Sequence, residues 1–280
     1  MPYGVGSLSD ADHLSTMPAA SPAASPSSPR SQPPSPTSVA GRRSPESSDS
    51  RLRAVAVAVG LLVAGFVAST ALGAAAFVVL LLAGGGTDLG AAEFAVLLVA
   101  GQLGLGLVGA AYVARWQPVA ARIQLPTVRG LAVVLGAVVA SVVAALVLTV
   151  VLAPFVGETG SVIGDAVAAD PLLVPVLAVL SVLVVAPIEE LLFRGAIQGR
   201  LRRAFGPTGA IVGASALFAS VHVLNFTGPV GGGLAFAAGI GVVSLLWGYL
   251  YERTRNLLVP ILVHGLYNAT LFGITALTLA

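Results

Sequence analysis

Glu189, Glu190 and Arg194 stand within six residues of one another, inside the apolar run APIEELLFRG. Ionisable groups at membrane depth are costly, and they usually mark a site. On a helix Glu190 and Arg194 are one turn apart and can pair. Glu189 projects about 100° away from Glu190, so the two carboxylates cannot point the same way. One carboxylate can be held by the guanidinium while the other faces a cavity. A buried salt bridge that only fixed packing would explain one Glu and the Arg, and would leave the second Glu unpaired. Pro187, just before the pair, removes a backbone hydrogen bond and favours a kink. Two of the three histidines also lie in apolar segments. His222 closes FASVH, with Phe218 one turn earlier on the same face. His264 opens HGLYN, with Asn268 one turn later on the same face.

A carboxylate beside imidazoles in a water-poor cavity suits hydrolysis. A water must lose a proton before it can attack a carbonyl, and a buried Glu is a competent general base. The oxyanion that forms needs donors, which an imidazole N–H and an amide can supply. These residue types assign Glu189 as base and His222 as its partner in orienting the water. His264 and Asn268 become oxyanion stabilisers, and Glu190 with Arg194 the supporting pair. A metal reading uses the same groups. Glu189, His222 and His264 match the two-His, one-Glu set of many catalytic zinc sites. The HExxH spacing is missing, so the ligands would come from three separate helices. The sequence leaves both readings open, with zinc the cofactor that the second would require.

The elements that position these groups follow from composition. Of 280 residues, 56% are hydrophobic and 9% are charged, against roughly 25% charged in soluble domains. The apolar residues fall in blocks long enough to cross a bilayer, and each block must be helical because lipid satisfies no backbone group. The expected fold is all-α: a polytopic transmembrane helical bundle of about seven spans, with six to eight allowed. The spans fall near 54–83, 94–114, 130–153, 172–193, 209–225, 232–251 and 257–278. The first could tilt or break near Gly73, and the fourth could run on towards Arg203. Residues 1–50, rich in Ser, Pro and Ala, form an expected disordered tail. His13 lies in that tail and takes no role. Cysteine is absent, which excludes thiol catalysis and disulfides. No basic stripe with aromatics points to nucleic acid.

Basic residues recur on every second connection: Arg42 to Arg53, then Arg115 to Arg129, then Arg200 to Arg203, then Arg253 and Arg255. The positive-inside rule places these and the N-terminus in the cytoplasm, which makes the chain a multi-pass protein of the cell (plasma) membrane. With a helical rise of about 1.5 Å per residue, Glu189 lies about 16 Å from Arg200, His222 about 20 Å from Gly209 and His264 about 10 Å from Leu257. Spans four, five and seven can therefore bring the three to one depth. The pairs Gly195/Gly199 and Gly209/Gly213 read as helix packing.

EELLFR, FASVH and HGLYN resemble, in order, the EExxxR, FxxxH and HxxxN motifs of the CAAX prenyl endopeptidase and bacteriocin-processing (CPBP) family. The resemblance covers roughly residues 170 to 275. It implies an all-α intramembrane protease in which Glu189 and His222 activate water, by a metallo- or a glutamate-dependent route. On this reading 51–170 are variable N-terminal helices and 171–280 the catalytic core. The implied function is an endopeptidase hydrolysing a peptide bond of a membrane-associated or lipid-linked protein or peptide, with the bilayer itself as the other partner. Two alternatives stand beside it. One is a non-enzymatic bacteriocin-immunity or scaffold protein, which would not need a water-activating set. The other is a proton-coupled transporter, for which the internal repeats common in transporters are not seen.

Overall fold

Helices dominate the molecule because nearly every segment between the charged connections is apolar for longer than 18 residues. The structure, a computed structural model, describes residues 46–86, 89–117 and 122–279. Most of the expected tail, residues 1–45, lies outside the described residues. Helix α1 (Glu46–Leu82) is continuous through Gly73 and is followed by α2 (Ala91–Trp116) and α3 (Val128–Val156). Thr127 caps α3 by accepting the Gly130 N–H at 3.2 Å. A short α4 (Val162–Ala169) follows, capped in the same way by Ser161.

Leu173 to Asn225 then form one 53-residue helical stretch. It begins as α5 (Leu173–Leu180), opens into a π turn over Ser181–Val185, tightens through α6 (Ala186–Glu190) and opens again over Leu191–Gln198. It continues as α7 (Gly199–His222). Within α7 Gly206 takes φ 70° and ψ −177°, with Pro207 behind it. Glycine has no Cβ to clash in that region, and proline cannot continue the preceding hydrogen-bond ladder. The chain therefore breaks there. Last come α8 (Val230–Thr254) and α9 (Leu258–Leu279).

Among the described residues, six helices are long and apolar enough to cross a membrane. The sequence divides the fourth of these into two spans, 172–193 and 209–225, and the break at Gly206 falls between them. The fourth of the six helices thus carries two of the seven apolar blocks of the sequence, and six lies within the expected six to eight. The outward faces agree with a lipid surround: Val67 is 64% exposed, Val139 62% and Val150 74%. A water-soluble protein does not present apolar surface on this scale.

α1 packs on α2, α7 on α8, and α3 on both α8 and α9, while α9 lies along the α5–α6 segment. Close approach is decisive at two glycines. A Cβ on Gly104 would stand 2.4 Å from the Ala68 carbonyl carbon and the Ser69 nitrogen of α1. One on Gly265 would stand 3.0 Å from Val182 Cα. The first lets α2 touch α1 backbone to backbone, and the second brings α9, with His264, against the first π turn. Two short antiparallel strands, β1 (Gly160–Ser161) and β2 (Phe226–Thr227), tie the end of α7 to the start of α4. Asp170 accepts the Ala91 N–H at 2.9 Å, anchoring α2 at that same acidic end.

Candidate active site

The two neighbouring carboxylates are separated by what each meets. Glu190 is fully buried. Its Oε2 lies 2.9 Å from Arg194 Nε, an ion contact without hydrogen-bond alignment, and its Oε1 faces His264 Nδ1 at 3.0 Å. Arg194, also fully buried, turns Nη2 to Ser244, donating to Oγ at 3.0 Å, and Ser244 Oγ in turn donates to Ser215 at 3.1 Å. Its guanidinium carbon stands 5.5 Å from the Phe218 ring centroid. Arg194 thus links the EELLFR segment to α8 and α7 from behind the site.

Glu189 points the other way. Its Oε1 accepts a hydrogen bond from Gln102 Nε2 of α2 at 3.1 Å. Its Oε2 is buried without a hydrogen-bond partner and lies 3.9 Å from His264 Nε2. Glu189, His222, His264 and Asn268 all line one cavity of about 490 Å³, while Glu190 and Arg194 stay outside its lining. The rest of the wall is mostly apolar, including Leu62, Phe66, Phe193, Phe218 and Phe272. A cavity that is largely apolar, with a few convergent polar groups, is the usual form of a small binding site.

The two rings are oriented by different means. His222 Nδ1 lies 2.7 Å from the Phe218 carbonyl oxygen, one turn back. A carbonyl only accepts, so Nδ1 carries the hydrogen and a neutral His222 offers Nε2 as an acceptor. His264 is sandwiched: its ring stacks on Trp247 at 4.2 Å and 20°, and Phe218 meets it edge-on at 5.8 Å. Trp247 is itself fixed by donating Nε1–H to Ser141 at 3.1 Å. With Nδ1 turned to Glu190, only Nε2 of His264 remains for Glu189.

The backbone around Glu189 is unusual in a way that bears on the site. The Ala186 N–H reaches back five residues to the Ser181 carbonyl, and the Gly199 N–H reaches Arg194. Such wide turns rotate the following residues relative to a regular helix and occur often at functional sites. The first precedes Pro187, where a regular helix would lose a hydrogen bond in any case.

The structure brings Glu189, His222, His264 and Asn268 to one cavity and sets Glu190 with Arg194 behind it. Sequence reasoning missed Gln102 and Trp247. A lone Gln in an apolar span was the available signal for the first; an aromatic in an apolar run gave none for the second. As zinc ligands, Glu189, His222 and His264 are suitable in donor type. Among the described residues, no group of three His, Asp or Glu stands close enough to hold an ion in this arrangement.

Residues 171–270 match the family model described as type II CAAX prenyl endopeptidase Rce1-like. That segment is Rce1-like. It holds all three motifs, with the cavity-facing Glu189, His222, His264 and Asn268, and the membrane endopeptidase family agrees with the multi-pass helical fold. Gln102, on α2, lies outside the matched residues. No curated protein and no solved structure matches the chain.

Proposed function

We propose that this chain, whose residues 171–270 match the Rce1-like model, is an intramembrane endopeptidase that cuts a peptide bond in a membrane-associated or lipid-linked protein or peptide. The observation that carries this reading is the Glu189 carboxylate. One of its oxygens is held by Gln102, and the other is buried, unpartnered and turned into a polar-tipped apolar cavity.

A water on Glu189 Oε2 gives one proton to the carboxylate, and the neutral His222 Nε2 accepts a hydrogen bond from its other O–H. The oxygen so aligned attacks the scissile carbonyl. Negative charge then collects on the carbonyl oxygen. The Asn268 amide is one donor for it. The His264 ring, held by Trp247 and by Glu190 at Nδ1, turns Nε2 to the cavity as the second. Collapse of the tetrahedral species needs a proton on the leaving amine, and protonated Glu189 supplies it. Arg194 and Trp247 touch no reacting atom; they hold Glu190 and the His264 ring in place. The apolar walls receive hydrophobic substrate and keep bulk water out of the cavity.

The cytoplasmic N-terminus and the plasma membrane are part of the same proposal, on the distribution of arginines between the spans. The test is cleavage of a membrane-extracted peptide library by the purified full chain, with metal content measured on the same preparation. Glu189→Ala and Glu189→Gln are expected to abolish cleavage while folding and insertion are kept. A Glu189→Gln protein that cleaves at the wild-type rate overturns the assignment.

A further inference from the structure

A second cavity, of about 450 Å³, lies at the basic end of the bundle between the beginnings of α1 and α7. Its lining is Ser50, Arg53, Arg200, Arg203 and Ala204. Ser50 and Arg53 are three apart on α1, and Arg200 and Arg203 three apart on α7, so each pair shares a helix face. The two helices are joined here by the Arg51 guanidinium, 5.9 Å from the Phe205 ring centroid. Three cationic side chains from two spans therefore converge on one recess, and among the described residues its lining holds no carboxylate.

Nearby arginines are paired with a described carboxylate and these are not. Arg202 Nε lies 2.9 Å from Glu252 Oε2, and Arg255 pairs with that same carboxylate. Arg53, Arg200 and Arg203 make no ion pair among the described residues. A charge bias that sets orientation explains basic residues at this end. It does not require three of them in one hollow, where like charges repel. An anion in the recess would remove that repulsion. Guanidinium matches phosphate oxygens in geometry as well as charge, and a basic pocket between helices at the membrane boundary is a recognised setting for lipid headgroups.

We propose that this recess binds a phosphate group carrying net negative charge, held by Arg53, Arg200 and Arg203. The group could come from an anionic lipid headgroup or from free phosphate. The site is separate from the hydrolytic cavity and stands whether or not the protease reading does.

The experiment uses the full chain in a neutral detergent, titrated in separate arms with phosphatidylglycerol, phosphatidylcholine and inorganic phosphate. Melting temperature and retained lipid are read out. Each basic residue near an anionic surface contributes about 1 kcal/mol, or roughly fivefold. The single variants Arg53→Gln and Arg203→Gln, on different helices, are expected to weaken binding about fivefold each. The triple variant with Arg200→Gln should weaken it about a hundredfold. Removing three arginines elsewhere (R115Q/R129Q/R253Q) should leave binding unchanged. Saturable stabilisation by phosphatidylglycerol alone assigns the group to a lipid, and stabilisation by phosphate alone to a soluble anion. Either supports the site. Should neither anion stabilise the wild-type chain, or should the two single variants bind as tightly as wild type, the proposal is overturned.

Discussion

Replacing Gln102 by leucine separates the positioning of Glu189 from the packing of α2. The amide donates to Glu189 Oε1 at 3.1 Å, while its own Oε1 is buried without a partner. A hydrogen bond to a charged group contributes about 1.5–3 kcal/mol, and a buried unsatisfied acceptor costs about 1–3 kcal/mol. Leucine removes both and keeps much of the volume; the cost that remains is the Glu189 carboxylate left without its donor, about 1–3 kcal/mol. Gln102→Leu should therefore melt only modestly below the wild type. On the proposed mechanism the substitution also acts on catalysis. A carboxylate released on one side loses the orientation that aims its other oxygen at the water. At about 1.4 kcal/mol per tenfold in rate, the full value of that bond predicts a fall in kcat of roughly ten- to a hundredfold. KM should change little, because the apolar walls that receive substrate are untouched. The assay is steady-state cleavage, on the best peptide from the library, by wild-type and variant protein in the same liposomes, with thermal melts in parallel. A variant with wild-type kcat would refute the idea that Gln102 holds the base. So would a loss of activity that merely tracks a lowered melting temperature.

Two further substitutions test the scaffold. Arg194→Met strands the buried Glu190 carboxylate and should destabilise the protein by about 3–5 kcal/mol, with the double variant Glu190→Gln/Arg194→Met recovering much of the loss; thermal melts of the three proteins decide it. Gly104→Val puts side-chain carbons where the α1 backbone lies, 2.4 Å from the first added atom. It should cost at least about 1–3 kcal/mol and lower the melting temperature, whereas Gly136→Ala, inside α3 with nothing within 4 Å of its added Cβ, should leave stability unchanged or raise it by up to about 1 kcal/mol.

Much of the site was legible because lipid makes polarity conspicuous. Glu189, Glu190, His222 and His264 each interrupt an apolar segment, and the four-residue spacings Glu190 to Arg194, Phe218 to His222 and His264 to Asn268 placed their neighbours. The division of labour between Glu189 and Glu190 followed from the same arithmetic: only Glu190 is one turn from Arg194, and it is the carboxylate found behind the cavity. Long-range partners were not legible. Gln102 meets Glu189 across 87 positions of chain, and no local pattern links them. The π turns were hidden as well, since i→i−5 hydrogen bonding has no residue signature beyond the hint of Pro187. The apolar blocks were readable, but the helical join that merges the fourth and fifth into one of six long helices was not. The run of the fourth span towards Arg203, which the sequence allowed, is found: Arg200, Arg202 and Arg203 are carried on a helix that persists to the break at Gly206.

That single-residue elbow leaves no slack between two of the chemical partners. Glu189 sits upstream of it and His222 downstream, on rods joined without a flexible connector. Adding or deleting one residue near Gly206 would swing His222 about 100° around its axis and away from the cavity it lines. Length variation in related chains should therefore concentrate in the stretches before α2 and before α8, and leave this corner constant to the residue.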